Sequence, residues 1–262
     1  MSPLPEPDYT LLDRPDISAF IFYPRRDWSP PPDGARDHDV PVAPGIAVSC
    51  RFYPHAKEAP TILYFHGNGE VVSDYDYTAP LYNSAGINLL VADYRGYGKS
   101  GGTPSFSTMV ADSRAIFDSG QEVLAQQGFT GPRFVMGRSL GALSALQVAA
   151  RFQSDLSGLI IESGAGGTRG WFRMLGPNEG RAPWEELHRR HLERLRLITL
   201  PLLMIHGEHD ELVPLESALE LQEAVSSTQK SLVVIAGAGH NDLFYLGLEE
   251  YMAAIKGFVA AV

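Results

Sequence analysis

The stretch Phe134-Val135-Met136-Gly137-Arg138-Ser139-Leu140-Gly141-Ala142 decides the fold of this chain. A short apolar run enters a Gly-x-Ser-x-Gly sequence, and a small-residue helical pattern follows directly. This order of strand, sharp turn and helix is the context that holds a serine nucleophile at the edge of a sheet. Gly137 and Gly141 suit such a turn because they lack a Cβ. Ser139 is therefore predicted to lie beside a helix N-terminus, whose unpaired N–H groups favour an oxyanion.

Short apolar segments alternate with helical patterns along most of the chain. Residues 39–43 and 46–53 come first and predict an antiparallel hairpin, in which Pro41 indicates an edge strand. Further strands are predicted at 61–65, 87–93, 133–137, 159–162, 200–205 and 232–235, and helices near 76–85, 107–127, 140–152, 215–225 and 248–259. This pattern predicts an α/β fold with a mostly parallel twisted sheet of about eight strands and helices on both faces.

Composition narrows the class of protein. The 262 residues are predicted to form a single domain, in which residues 1–36 are a proline-rich N-terminal arm and loop. The formal net charge of −10 argues against a nucleic-acid partner. No signal-peptide pattern and no apolar run of about 20 residues is found, which predicts a cytoplasmic protein without a stable membrane anchor. The oligomeric state is left open.

Three candidate catalytic residues, Ser139, Asp210 and His240, each follow a predicted strand. Active sites of open α/β sheets lie beyond the carboxyl ends of the strands. A serine needs an adjacent base, imidazole has a suitable pKa, and a carboxylate fixes the imidazole tautomer. The alternatives are a structural turn at Ser139 and a hydrogen-bonded loop histidine at His240.

Five motifs together resemble those of the α/β-hydrolase superfamily and occur in its order from about residue 38 to the C-terminus. The whole is most similar to the esterase, thioesterase and acyl-protein-deacylase branch. The motifs are His66-Gly67-Asn68-Gly69, Asp93-Tyr94-Arg95-Gly96-Tyr97-Gly98-Lys99-Ser100, Gly137-Arg138-Ser139-Leu140-Gly141, His206-Gly207-Glu208-His209-Asp210 with Val213-Pro214, and Gly239-His240.

The resemblance implies the roles of further residues. The main-chain N–H groups of Asn68 and Leu140 are expected to form the oxyanion hole. In some α/β-hydrolases the acid follows the preceding strand, which makes Glu162 a second candidate, but the His-Gly-x-x-Asp pattern favours Asp210. Residues 164–199 are expected to form a short cap or lid insertion. Within it, Trp171 and Phe172 are candidate substrate-binding residues, whereas Trp184 is expected to pack the cap onto the sheet.

The cap segment is also rich in arginine. It contains seven Arg and no Lys, which suggests either selection of anionic substrates or Glu–Arg pairing along a helix; the pairing interpretation is favoured. His188 and His191 are predicted on its solvated face.

Two apparent binding motifs are rejected. Gly98-Lys99-Ser100 is not a phosphate loop, because Asp93 stands where the required glycine would be. His206 and His209 have poor geometry for a metal site. No cofactor and no metal are expected.

The sequence thus predicts a serine hydrolase that cleaves small-molecule carboxylic esters or thioesters through an acyl-enzyme. A peptidase or amidase on the same scaffold, and a non-catalytic binding protein that kept the fold, are the alternatives.

Overall fold

The computed structural model describes residues 6–166 and 181–262, with the main chain alone for Arg181. Within these ranges eight strands form one sheet in the order β1-β2-β4-β3-β5-β6-β7-β8. Their bounds are β1 (Arg36–Ala43), β2 (Ile46–Tyr53), β3 (Thr61–Phe65), β4 (Asn88–Ala92), β5 (Arg133–Arg138), β6 (Gly158–Glu162), β7 (Leu202–Gly207) and β8 (Lys230–Ile235). β2 pairs antiparallel with β1 and β4, and all other pairs are parallel. The predicted α/β fold and the position of Pro41 on an edge strand are confirmed.

Helices cover both faces of the sheet. They are α1 (Pro15–Ile21), α2 (Ala79–Ser84), α3 (Phe106–Gln126), α4 (Ala142–Arg151), α5 (Arg181–Leu195), α6 (Leu215–Ala224) and α7 (Leu243–Ala261). Alternate residues of the central strands enter two separate apolar clusters. Leu63 and Phe65 pack in the cluster that includes α3 to α6, whereas Ile62 and Tyr64 pack in the cluster that includes α2 and α7. A parallel strand that is buried on both faces has a continuous apolar sequence, which is why the sequence predicted these strands.

The N-terminal arm packs onto the domain. Its side chains Tyr9, Leu12, Ile17 and Phe22 are buried in the larger apolar cluster. The arm also reaches α5, because the Tyr9 hydroxyl lies 2.7 Å from Nδ1 of His191. His191 is 1% exposed, so its predicted place on a solvated face is wrong. The reason is that the arm and the chain near residue 166 cover this side of the helix.

The closing helix is longer than predicted. It begins at Leu243 instead of residue 248 and bends at Gly247, where the main chain leaves helical geometry. A Cβ at Gly247 would lie 2.4 Å from Cγ2 of Ile235, so glycine allows the helix to approach β8 closely. Of the predicted helix at 76–85, only the short α2 is α-helical, and a 3₁₀ turn over Val72–Asp76 precedes it.

Of residues 164–199, which the sequence predicts to form a cap, the structure describes 164–166 and 181–199. Trp171 and Phe172 lie outside the described residues, whereas Trp184 is buried against the domain as expected. On α5, Arg190 pairs with Glu186 at 2.5 Å, and Arg189 pairs with Glu186 and Glu193. These contacts follow the pairing interpretation of the arginines. None of the described helices is long and apolar enough to cross a bilayer.

Candidate active site

Ser139 lies at the turn between β5 and α4. Its φ of +50° places it in the left-handed region, which is sterically unfavourable for a residue with a Cβ. A Cβ added to Gly141 would lie 2.1 Å from the Phe65 carbonyl oxygen, and one added to Gly137 would lie 2.5 Å from the Gly141 carbonyl oxygen. The two glycines therefore allow β3, β5 and α4 to meet at the tight turn that presents the serine.

Ser139, His240 and Asp210 form one hydrogen-bonded series. Nε2 of His240 lies 2.8 Å from the Ser139 hydroxyl oxygen, and Nδ1 lies 2.8 Å from Oδ2 of Asp210. The other carboxylate oxygen of Asp210 accepts the N–H groups of Leu212 and Val213 at 3.0 and 2.8 Å. Burial alone raises the pKa of Asp210, but the hydrogen bonds from His240 and Val213 outweigh this and lower it.

The ionised carboxylate fixes the tautomer of the neutral imidazole. A carboxylate only accepts hydrogen bonds, so Nδ1 of His240 carries the hydrogen and donates it to Asp210. Nε2 is then the acceptor of the Ser139 hydroxyl. This arrangement leaves a basic nitrogen directly beside a serine hydroxyl.

The rival acid, Glu162, has other partners. Its Oε2 accepts the hydroxyls of Tyr64 and Tyr251, and its Oε1 accepts Nε–H of Arg138. The structure therefore brings Asp210, and not Glu162, to the imidazole of the site.

The arm holds Asn68 through its side chain. Oδ1 accepts the main-chain N–H of Tyr23 at 2.9 Å and the hydroxyl of Tyr97 at 2.7 Å, and Nδ2 donates to the Ile21 carbonyl oxygen at 2.5 Å. The main-chain N–H of Asn68, which lies in a loop, donates no hydrogen bond within the described ranges. The N–H of Leu140 has no partner there outside the bonds internal to helices and strands.

The buried pair of His66 and Asp93 stabilises the start of the same loop. Nε2 of His66 lies 3.1 Å from Oδ1 of Asp93, and Nδ1 donates to the Gly67 carbonyl oxygen at 2.8 Å. Burial alone lowers the pKa of His66, but the hydrogen bond and charge of Asp93 outweigh this and raise it. Each ring nitrogen of His66 has an acceptor, and the bond from Nδ1 holds the main chain of Gly67, the residue directly before Asn68.

Lys99 and His206, from the two rejected binding motifs, are held by contacts within the chain. Nζ of Lys99 lies 3.2 Å from carboxylate oxygens of both Asp37 and Asp39, and Nε2 of His206 donates to the Val213 carbonyl oxygen at 2.7 Å. In the described part of the chain, no group of three or more His, Cys, Asp or Glu is placed to hold a metal ion.

One residue of the site was missed by the sequence analysis. Arg138 received no role, yet its guanidinium donates to the His240 carbonyl oxygen. The available signal was a charged residue inside the elbow, directly between Gly137 and Ser139.

A comparison with protein-family models identifies the class. The model described as serine aminopeptidase, S33, matches residues 56–177 and 185–244. The chain belongs to the α/β-hydrolase family. This α/β hydrolase is 30% identical over 270 residues to alpha/beta hydrolase domain-containing protein 17B of Xenopus laevis, a match that covers 98% of this chain and 88% of that protein. It is 29% identical over 210 residues to protein bem46 of Schizosaccharomyces pombe, covering 78% and 68% of the two chains.

Solved structures share the fold of this α/β hydrolase. The esterase Pf2001 of Pyrococcus furiosus superposes with a TM-score of 0.72 at 20% identity, covering 92% of this chain and 98% of that chain. Est1E of Butyrivibrio proteoclasticus with bound ferulic acid gives a TM-score of 0.70 at 20% identity, covering 86% and 98%. Family and fold together make the chain a hydrolase.

Proposed function

We propose that this chain is a serine hydrolase that cleaves carboxylic ester or thioester bonds through an acyl-enzyme intermediate. The observation that carries the proposal is the series from the Ser139 hydroxyl through His240 to Asp210, with 2.8 Å at both contacts of the imidazole. A serine hydroxyl is a weak nucleophile without such a base, and this geometry supplies one.

The residues of the series account for each proton in the reaction. As Oγ of Ser139 bonds to the substrate carbonyl carbon, Nε2 of His240 takes the hydroxyl proton. The imidazolium, stabilised by Asp210, then gives that proton to the leaving alcohol or thiol as the C–O or C–S bond breaks. A water molecule attacks the acyl group in the second half, with His240 again as base, and Ser139 recovers its proton as it leaves.

The proposed oxyanion hole consists of the main-chain N–H groups of Asn68 and Leu140. Support comes from the position of Leu140 in the 3₁₀ turn that leads into α4, and from the N–H of Asn68, which has no acceptor within the described ranges. One such donor is typically worth about 10²–10³ in kcat.

The remaining parts of the proposal concern the surroundings of the site. We propose that residues 1–262 form one domain and that residues 164–199 cover the site, with Trp171 and Phe172 as substrate contacts. A small-molecule acyl ester or thioester is the proposed substrate, and a cytoplasmic location stays a prediction from the sequence.

The direct experiment combines labelling with turnover. Wild type and Ser139→Ala are treated with a fluorophosphonate probe and assayed with p-nitrophenyl esters and acyl-thioesters of graded chain length. Labelling and turnover that are lost together in the folded variant support the proposal. A folded wild type that neither labels nor hydrolyses any of these substrates favours the non-catalytic binding protein instead.

A peptidase or amidase is the second candidate, because the matching family model is described as serine aminopeptidase. The same triad serves amide bonds when the leaving amine is protonated as the bond breaks. Aminoacyl p-nitroanilides compared with p-nitrophenyl esters of the same acyl group separate the two. A higher kcat/KM for the anilide would assign the amidase.

A further inference from the structure

Arg138 lies at the end of β5, and Ser139 follows it directly. Its side chain is only 13% exposed. On the neighbouring strand β6, its register partner is Glu162. A buried cation one residue from a serine nucleophile is costly unless it is fully paired, so its contacts are informative.

The guanidinium of Arg138 donates to four groups. Nε donates to Oε1 of Glu162 at 3.1 Å, and Nη1 donates to Oε1 of Glu70. Nη2 donates to the His240 carbonyl oxygen at 3.2 Å and to Oδ1 of Asn241 at 2.9 Å. A single side chain therefore connects the serine strand to the loop that carries the imidazole.

Other groups satisfy the remaining oxygens of the two carboxylates. Three tyrosine hydroxyls and one main-chain amide take part: Tyr64 and Tyr251 donate to Oε2 of Glu162 at 2.9 and 2.7 Å, and Tyr75 and the Gly67 N–H donate to Oε2 of Glu70 at 2.7 and 2.8 Å. The cluster holds the guanidinium rigidly, because each carboxylate is itself fixed on two sides.

The guanidinium also lies against the loop that carries Asn68. A Cβ added to Gly67 would lie 2.4 Å from Nη1 of Arg138, so glycine leaves the space that the guanidinium occupies. Glu70, which pairs with Arg138, accepts the Gly67 N–H. The same cation thus contacts both the loop that carries Asn68 and the loop that carries His240.

We propose that Arg138 is a positioning residue, which aligns the His240 loop and the Asn68 loop with the nucleophile. The inference rests on the proposed function of Ser139 and His240. Lysine cannot replace this arginine, since an ammonium has no planar fork and cannot reach four acceptors in these directions. Reaction rates depend steeply on such alignment, and a displacement of about 1 Å can cost about 10²-fold.

A purely structural role is the alternative, and Arg95 provides a matched control. Its side chain is 15% exposed and donates to both carboxylate oxygens of Asp112 on α3 at 2.7 Å. Arg95 contacts neither the serine turn nor the His240 loop through these bonds. Arg95→Lys therefore disturbs a comparable buried ion pair without touching the proposed alignment.

The experiment measures kcat and KM for one p-nitrophenyl ester in Arg138→Lys, Arg95→Lys and Asn241→Ala, with thermal melts to show folding. Arg138→Lys is expected to lower kcat about 10²-fold with KM changed less than about threefold. Asn241 is exposed, and Asn241→Ala removes its hydrogen bond with Arg138. This variant is expected to lower kcat several-fold. In the Arg138→Lys background, Asn241→Ala should cause no further loss, because both act through one contact.

Several results would overturn the inference. An equal loss of kcat in the two lysine variants assigns a structural role, and additive effects of Arg138→Lys and Asn241→Ala assign independent ones. If Arg138→Lys does not fold, an unchanged kcat in Asn241→Ala overturns the alignment and a reduced kcat at constant KM supports it. A wild type without Ser139-dependent turnover overturns the proposed function, and this inference with it.

Discussion

Asp210→Asn is the substitution whose result the structure specifies most fully. Oδ1 of Asp210 accepts two main-chain N–H groups, from Leu212 and Val213. An asparagine keeps its carbonyl oxygen at this position, because its NH₂ group would face two donors. The NH₂ group must then point at Nδ1 of His240, which becomes an acceptor. The neutral imidazole is thereby forced into the tautomer that carries its hydrogen on Nε2, facing Ser139.

An imidazole in that tautomer cannot take the serine proton. We expect kcat for a p-nitrophenyl ester to fall about 10⁴-fold, the loss typical of a triad with the wrong tautomer. Glu211→Gln is the control, since this neighbouring side chain is exposed and should leave kcat unchanged. The assay is steady-state hydrolysis with folding verified by thermal melts. A kcat within about tenfold of wild type in Asp210→Asn would refute the assignment of Asp210 as the acid and return Glu162 to consideration.

Three further predictions concern the supports of the site. Asn68→Ala removes the three side-chain hydrogen bonds that connect this loop to Tyr23, Tyr97 and Ile21. We expect kcat to fall roughly tenfold with little change in KM. An unaltered kcat would show that the arm does not hold this loop. Gly141→Ala places a methyl group 2.1 Å from the Phe65 carbonyl oxygen. We therefore expect a marked loss of thermal stability and of labelling by the fluorophosphonate probe. A thermal melt like that of wild type would contradict this expectation. Burial raises the pKa of Glu70, but the charges of Arg138 and His66 and the hydrogen bonds from Tyr75 and the Gly67 N–H together outweigh this and lower it. The Glu70 carboxylate therefore stabilises the fold above its unfolded-state pKa of about 4.3, and this stabilisation is lost as the pH falls through the lower folded-state value. In urea titrations, Glu70→Gln should lie below wild type in free energy of unfolding at pH 7, with a gap that narrows from about pH 5 to pH 3; a gap independent of pH would contradict the ion pair.

The sequence was informative where one local constraint dominates. The strands β3 to β7 are continuous apolar runs, and two glycines flank Ser139, so the sheet and the turn were predictable. The local sequence did not by itself distinguish Asp210 from Glu162 as the acid, because Glu162 ends one parallel strand and Asp210 follows the neighbouring one. The structure separates the two residues: Glu162 lies opposite Arg138 and is held there, whereas the loop after β7 carries Asp210 to the imidazole.

Features that depend on distant parts of the chain were not predictable. The environment of His191 is set by Tyr9, a residue of the arm, and charged neighbours on α5 gave no sign of this contact. The role inferred for Arg138 likewise depends on Glu70, from a loop far earlier in the sequence. Local patterns predict elements and turns, whereas such contacts follow only once the sheet brings the loops together.

The measurement that tests the central claim most directly is trapping of the covalent intermediate. Wild type is mixed with a slowly deacylating p-nitrophenyl ester, quenched in acid within the first turnover and analysed by intact mass and peptide mapping. The account predicts one acyl group per chain, located on Ser139, and no acylation in Ser139→Ala. Turnover by wild type without an acylated Ser139 in any quenched sample, or an acyl group that persists in Ser139→Ala, would contradict it.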